Sequence, residues 1–308
     1  MKTNKFGSKI MISSTIILLF FTLLFHPQET LVGAKKGVIL WVYTVIPTLF
    51  PFVVISNLMM QTNAISHIVI LFGSVFKKLF AVSDNGVFAV IAGFLCGYPM
   101  GAKVTADLVK TNRISKKEGQ YLLSFCNNAS PMFVVSYIVF QSFGDIELTI
   151  PTLLILFGSP LLCSFFFRLY HKPKLCIQNH SENNISFSFS MLDSSVMDGF
   201  ITVTKIGGYI MLFSVLIQIF SAYNFRNTWL STFEITSGIQ TLMHTYNSYF
   251  QAYVPVLALS SFGGLCAIIQ TKSMLQNTSL SLLPYIIEKL ITTMVTSLFA
   301  YLYIKLYK

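Results

Sequence analysis

A chain of 308 residues that is 54% hydrophobic and only 10% charged, with a mean hydropathy of +0.68, is too apolar for a water-soluble domain; such domains carry about a quarter charged residues. Its net charge of +10 sits in short loops between apolar runs, where basic residues set membrane orientation, so no nucleic-acid partner is implied. Five cysteines (Cys96, Cys126, Cys163, Cys176, Cys266) form no CxxC pair and adjoin no histidine, which argues against zinc or a disulfide framework and for buried free thiols.

In chain order, Lys2, Lys5 and Lys9 precede an apolar run, 10–25. No small-x-small cleavage site follows, so residues 1–34 read as an uncleaved anchor helix. Lys35-Lys36-Gly37 opens a second span, 38–60, whose Pro47 and Pro51 predict a bend. Residues 65–82 hold Lys77 and Lys78 in an amphipathic pattern and are expected to lie in the membrane interface. Two apolar stretches are then interrupted, 86–113 at Cys96-Gly97-Tyr98-Pro99-Met100-Gly101 and 118–143 at Asn127-Asn128-Ala129-Ser130-Pro131. Helices do not run cleanly through such segments. In lipid, freed backbone is tolerated only where protein buries it or it lines a cavity. Spans 148–167 and 195–220 flank a polar, basic linker, 169–194; residues 233–270 are weakly apolar and rich in Gly and Ser, and 282–304 is the last span.

Basic clusters at Lys2/Lys5/Lys9, Lys77/Lys78, Lys110/Arg113/Lys116/Lys117 and Arg168/Lys172/Lys174 are assigned to the cytoplasm. The acidic loops 26–30 and 144–147 go outside. This orientation requires 86–113 to enter and return as a re-entrant hairpin, and it leaves Lys305 and Lys308 outside, against the rule. Self-comparison matches Gly37 with Gly199, and, at a common offset of 137 positions, Gly101 with Gly238 and Ser124-Phe125 with Ser261-Phe262. Residues 35–168 and 195–308 then read as two copies, the second with a hairpin over 223–249 and a broken helix over 250–271. Three crossings per copy invert the second relative to the first, the architecture of secondary transporters with sites at facing helix breaks. The fold class expected is all-α and polytopic, with about seven crossings and two re-entrant hairpins.

The segments CGYPMGAK (96–103), SFCNNASPMF (124–133), FEITSG (233–238) and SFGGLCAIIQ (261–270) resemble the YlbJ family of sporulation integral membrane proteins, over about 35–305. That family carries the Gate, or nucleoside-recognition, domain and resembles concentrative nucleoside transporters. The resemblance implies a protein of spore formation in the outer forespore membrane that moves dipicolinic acid. The residues by themselves support a transporter-like inverted repeat for an anionic or polar solute.

Candidate solute-facing residues are Gly97, Tyr98, Pro99 and Lys103 at the first tip, and Asn127, Asn128 and Ser130 at the first break. Glu234 and Thr236 at the second tip, with Ser261, Gly263 and Gly264 at the second break, complete the set. Lys103 at a helix N-terminus would add to the positive dipole end and favour an anion; equally, it could snorkel or pair with Asp107 at i+4. Glu234 reads as a proton or cation coupling site, a partner of Lys103, or an ordinary loop acid. The asparagines read as solute contacts or as interhelical hydrogen bonds. Gln270 reads as structural and His244 as a loop residue. No HExxH, intramembrane Asp pair, Walker or GxGxxG pattern is present, so no enzyme and no cofactor are expected. The alternatives to a dipicolinate transporter are a carrier of nucleosides or other polar solutes and a structural component of a membrane complex. An oligomer is compatible with all three.

Overall fold

The computed structural model describes residues 3–62, 64–173, 187–223 and 228–307. Lys2, Cys176, Lys174 and the rest of the linker over 174–186, Arg226 and Lys308 lie outside the described residues. Among the described residues every regular element is helical. Five stretches are long and apolar enough to cross a membrane: Lys116–Phe143, Ile146–His171, Phe189–Ala222, Tyr249–Met274 and Leu282–Leu306. Two sharply bent pairs bring the number to seven if each counts as one span: Ser13–Phe25 with Pro27–Val45 (99°) and Gly73–Phe80 with Asp84–Cys96 (93°). The chain is an all-α polytopic membrane protein.

Helix α1 (Thr3–Phe25) ends at His26, and α2 (Pro27–Leu40) begins at once, because Pro27 sits at the first turn, where its missing N–H costs nothing. The second span therefore starts at Pro27, not at Val38, and Lys35 and Lys36 lie inside it. Lys36 reaches along the surface to donate to Gln218 at 2.8 Å. A π-helical turn, Trp41–Val45, leads into α3 (Ile46–Gln61). This π-helical turn lies just upstream of Pro47 and includes Tyr43, whose carbonyl Pro47 leaves without its α-helical donor, and α3 continues through Pro51. Helix α4 (Ile65–Phe80) buries Ile65 and Phe80 and exposes Ile70, Val75 and Leu79.

Helices α5 (Asp84–Cys96) and α6 (Met100–Lys110) form the first hairpin, with Gly97-Tyr98-Pro99 as its tip. Helix α7 (Lys116–Cys126) stops at the Asn-Asn break, and α8 (Pro131–Phe133) continues as a π-helical stretch, Val134–Phe143. Ser115 and Glu118 have capping-box spacing, but the Glu118 carboxylate reaches across to accept from the Ser83 N–H at 2.6 Å, at the start of α5. Helices α9 (Thr149–His171) and α10 (Phe189–Ala222) follow. In the second half, one 3-10 stretch, Thr228–Thr232, precedes α11 (Ile235–Thr245). Within the hairpin expected over 223–249, the described part of the entering arm is this 3-10 stretch and the returning arm is α11. Helix α12 (Tyr249–Phe262) breaks at Gly263 into α13 (Gly264–Met274), and α14 (Leu282–Tyr307) closes the chain. His244 belongs to the last turn of α11 instead of a loop.

Helix α10 runs antiparallel along the whole of α2 and α3. A Cβ added at Gly33 would meet the Val215 Cα at 2.6 Å, and one at Gly37 the Met211 Cα at 2.7 Å. Such small residues four apart let two backbones approach closely in lipid. Gly37→Leu should therefore force α2 from α10, costing about 1–3 kcal/mol. A thermal midpoint in detergent equal to that of the unmodified chain would contradict this packing.

Candidate functional site

The helix interruptions converge. The first tip, the break after α7, the start of α11 and the break after α12 border one cavity of about 260 Å³. Its opposite wall comes from the α2/α3/α10 group, through Leu40, Val45, Leu49, Ile206 and Ile210. Both π-helical stretches contribute to it, with Thr44 from the first and Ser136, Tyr137 and Gln141 from the second. π-turns turn side chains out of the regular register and recur at functional sites.

Six of the twelve predicted residues line this cavity: Gly97, Tyr98, Ser130, Glu234, Thr236 and Gly263. Gly97 has φ 81°, and a Cβ there would stand 2.6 Å from the Ser130 N. Only glycine allows the first tip to touch the first break so closely. Gly263 (φ 84°) and Gly264 (φ 77°) make the second break, and a Cβ at Gly263 would meet the Tyr98 ring. Tips and breaks from different halves therefore interlock. The Cys266 N–H donates to the Phe233 carbonyl at 2.9 Å, tying the start of α13 to the second tip.

Glu234 is 3% exposed and caps α11 with both carboxylate oxygens. The Thr236 N–H donates to one at 2.9 Å and the Ser237 N–H to the other at 2.8 Å. The negative charge lies against the positive end of the helix dipole. Glu234 makes no ion pair with Lys103. It is the one carboxylate among the described lining residues, and no Lys or Arg joins it there.

The other predicted residues are displaced from the cavity. Lys103 is buried but pairs with Asp107 at 3.0 Å and with Asp198 of α10 at 2.7 Å. The i+4 pairing is realised, and the free anion-binding cation is not: two carboxylates already neutralise it. Asp198 is shared between Lys103 and the Asn57 amide of α3, which donates to it at 2.5 Å. Lys103→Met should strand both acids, lowering the thermal midpoint. Adding Asp198→Asn should restore part of the loss, because it removes one of the two carboxylates left facing each other without their cation. Equal midpoints for the single and double variants would contradict the pairing.

Asn127 also serves structure. Its amide donates to Thr271 Oγ1 and to the Tyr285 hydroxyl, each at 2.9 Å, and its oxygen accepts from the Ala102 N–H in the first turn of α6 at 3.4 Å. Asn128 donates to the Phe125 carbonyl at 2.6 Å, and its oxygen accepts from Lys289 at 2.9 Å. Neither residue is among those lining the cavity, and of the two roles expected the interhelical hydrogen bonds are the one seen. Pro99, Ser261 and Gly264 likewise stand behind the wall. Gln270, read as structural, lines the cavity.

Sequence reasoning missed Lys289 and Glu288, in the second turn of the last span. The signal was available: two adjacent charges in an apolar run are costly and mark a site by default. Glu288 is buried and bonded to His171 of α9. Cys96, Cys126, Cys163 and Cys266 are buried free thiols, as expected.

Compared with known proteins, the chain is similar to the sporulation integral membrane protein YlbJ of Bacillus subtilis (strain 168), with 24% identity over 95% of this chain and 82% of that protein. The similarity runs nearly end to end. No family model and no solved structure matches.

Proposed function

We propose that this membrane protein of the YlbJ type is a secondary transporter acting in spore formation, with dipicolinic acid as its cargo and the outer forespore membrane as its place. The observation that carries the reading is the convergence of four helix interruptions on one cavity. Regular helices would satisfy their own backbone, and interrupting them in lipid is tolerated only around a buried or water-filled site. The order hairpin, broken helix, span recurs in the two halves, which supports an inverted repeat with the cargo between the copies. The activity moves a solute and makes no bond.

The wall fits a small planar acid in part. Tyr98, Phe133 and Tyr137 offer aromatic faces, and Ser130, Thr236 and Gln270 offer polar groups. A dicarboxylate entering beside Glu234 would meet a like charge. The loaded state therefore requires Glu234 to be neutralised, which makes it the coupling site. A second cargo class follows from the same wall: with one acid, no cation and several neutral donors, it also suits an uncharged heterocycle such as a nucleoside.

The test is uptake into proteoliposomes of the purified chain, with labelled dipicolinate and labelled nucleosides in separate arms. Dipicolinate uptake above protein-free liposomes is expected. Uptake of nucleosides alone would replace the cargo, and uptake of neither would leave a structural membrane component.

A further inference from the structure

Lys289 is 1% exposed, lies in the last span, α14, and joins none of the ion pairs formed among the described residues, the nearest in sequence being that of Glu288 with His171. Its Nζ donates to the Asn128 Oδ1 at 2.9 Å and to the Ser261 carbonyl at 3.3 Å, and it stands 4.9 Å from the centroid of the Tyr98 ring. All three neighbours attract a cation. The Asn128 amide nitrogen is already committed to the Phe125 carbonyl, which turns its oxygen toward the lysine. The Ser261 carbonyl is in the last turn of α12, where intrahelical donors run out, and it also accepts from the Tyr98 hydroxyl at 2.8 Å. A π face completes the shell.

The place of these groups in the fold gives them meaning. Asn128 follows the C-terminal end of the half-helix α7, and Ser261 belongs to the C-terminal end of the half-helix α12. Both ends are negative poles. In carriers built from broken helices, such C-terminal ends and unwound carbonyls hold the coupling cation, while N-terminal ends face an anionic solute. Here the same division exists: the starts of α8 and α11 face the cavity, and the ends of α7 and α12 face Lys289.

We infer that the Lys289 ammonium occupies the monovalent-cation site between the broken helices, so that the chain carries its own cation there and works without sodium. The inference rests on the transporter reading for its functional consequence, but its binding consequence stands apart. With the cation tethered, both breaks and the first tip are held from α14 at all times. Any coupling ion must then act elsewhere, and Glu234 remains for a proton.

The experiment uses the full chain in detergent and in proteoliposomes. Thermal midpoints are measured in sodium, potassium and choline chloride at equal ionic strength, for the unmodified chain and for Lys289→Ala. The unmodified chain should show the same midpoint in all three. Lys289→Ala should melt lower and be raised by about 2–4 °C by sodium or methylammonium relative to choline, as binding to the vacated shell stabilises the fold. Lys289→Met, which fills the space without charge, should gain no such response. A sodium-specific rise in the unmodified chain, or uptake that needs a sodium gradient, would overturn the inference, and neither arm depends on a variant folding. Absence of a cation response in a folded Lys289→Ala would overturn it as well. Should no solute be taken up, the transporter reading fails while the detergent arms still decide the cation site.

Discussion

Glu234→Gln should abolish pH-dependent uptake while leaving the chain folded. The glutamine is isosteric and keeps one oxygen to accept from the Thr236 N–H, but its NH2 group faces the Ser237 N–H, donor against donor. The lost half of the cap and of the charge–dipole term costs about 1 kcal/mol, which a folded domain can absorb. The cavity loses its one carboxylate among the described lining residues, and with it the group to which the proposed function gives the coupling role. Solute binding should persist, since the neutral side chain resembles the protonated acid. Glu234→Ala removes the whole cap and should lower the thermal midpoint further, whereas Glu234→Asp should keep coupling in part. Dipicolinate uptake against pH in proteoliposomes is the measurement. A Glu234→Gln variant whose uptake keeps the pH profile of the unmodified chain would remove Glu234 from the coupling role.

The largest expected effect on folding belongs to Gly101→Val. Gly93 of α5 and Gly101 of α6 both face the Cys126 carbonyl at the end of α7, and a Cβ at Gly101 would press into that oxygen and stand 2.8 Å from its carbon. The obstacle is backbone, so no rotamer change relieves it. The first hairpin would separate from α7, breaking the Asn127 bond to the start of α6. Overpacking of a rigid site costs about 3 kcal/mol, a large share of the stability of a typical fold. Gly101→Val should yield little folded protein by size-exclusion in detergent, whereas Gly208→Ala, with open space around its Cβ, should be neutral. A normal yield of folded Gly101→Val would show that the hairpin does not seat on α7 as described.

The repeat match between Gly101 and Gly238 takes on a physical content here. A Cβ at Gly238 would run into the Ser231 carbonyl, as one at Gly101 would run into that of Cys126. Each glycine lies in the first turns of a helix leaving a tip, and each lets that helix press on a neighbouring backbone. The motif was legible because only glycine solves this problem, in whichever half it arises. The 3-10 form of Thr228–Thr232 was not legible, since apolar pattern shows which segments are buried and not which complete an α-helix.

Local chemistry determined a good deal by itself. Apolar length set the spans, and Gly-Tyr-Pro, Asn-Asn-Ala-Ser-Pro and Gly-Gly set the breaks, because backbone without a helical partner is dictated by residues next to one another. Which residues of those breaks face the cavity was not decided there: Gly97, Ser130 and Gly263 line it, while Asn127, Asn128 and Ser261 from the same segments do not. Tertiary structure decided the charges. Lys103 and Lys289 both lie in apolar surroundings, and nothing near Lys103 in sequence announces Asp198, 95 positions away, which neutralises it. Nor does anything near Lys289 announce Asn128 or Ser261, which meet it only because α7, α12 and α14 end up side by side. A charge in lipid is worth what surrounds it. Those surroundings are assembled from distant segments, so the fold alone decided which lysine joins an ion pair and which is held between the breaks by neutral groups.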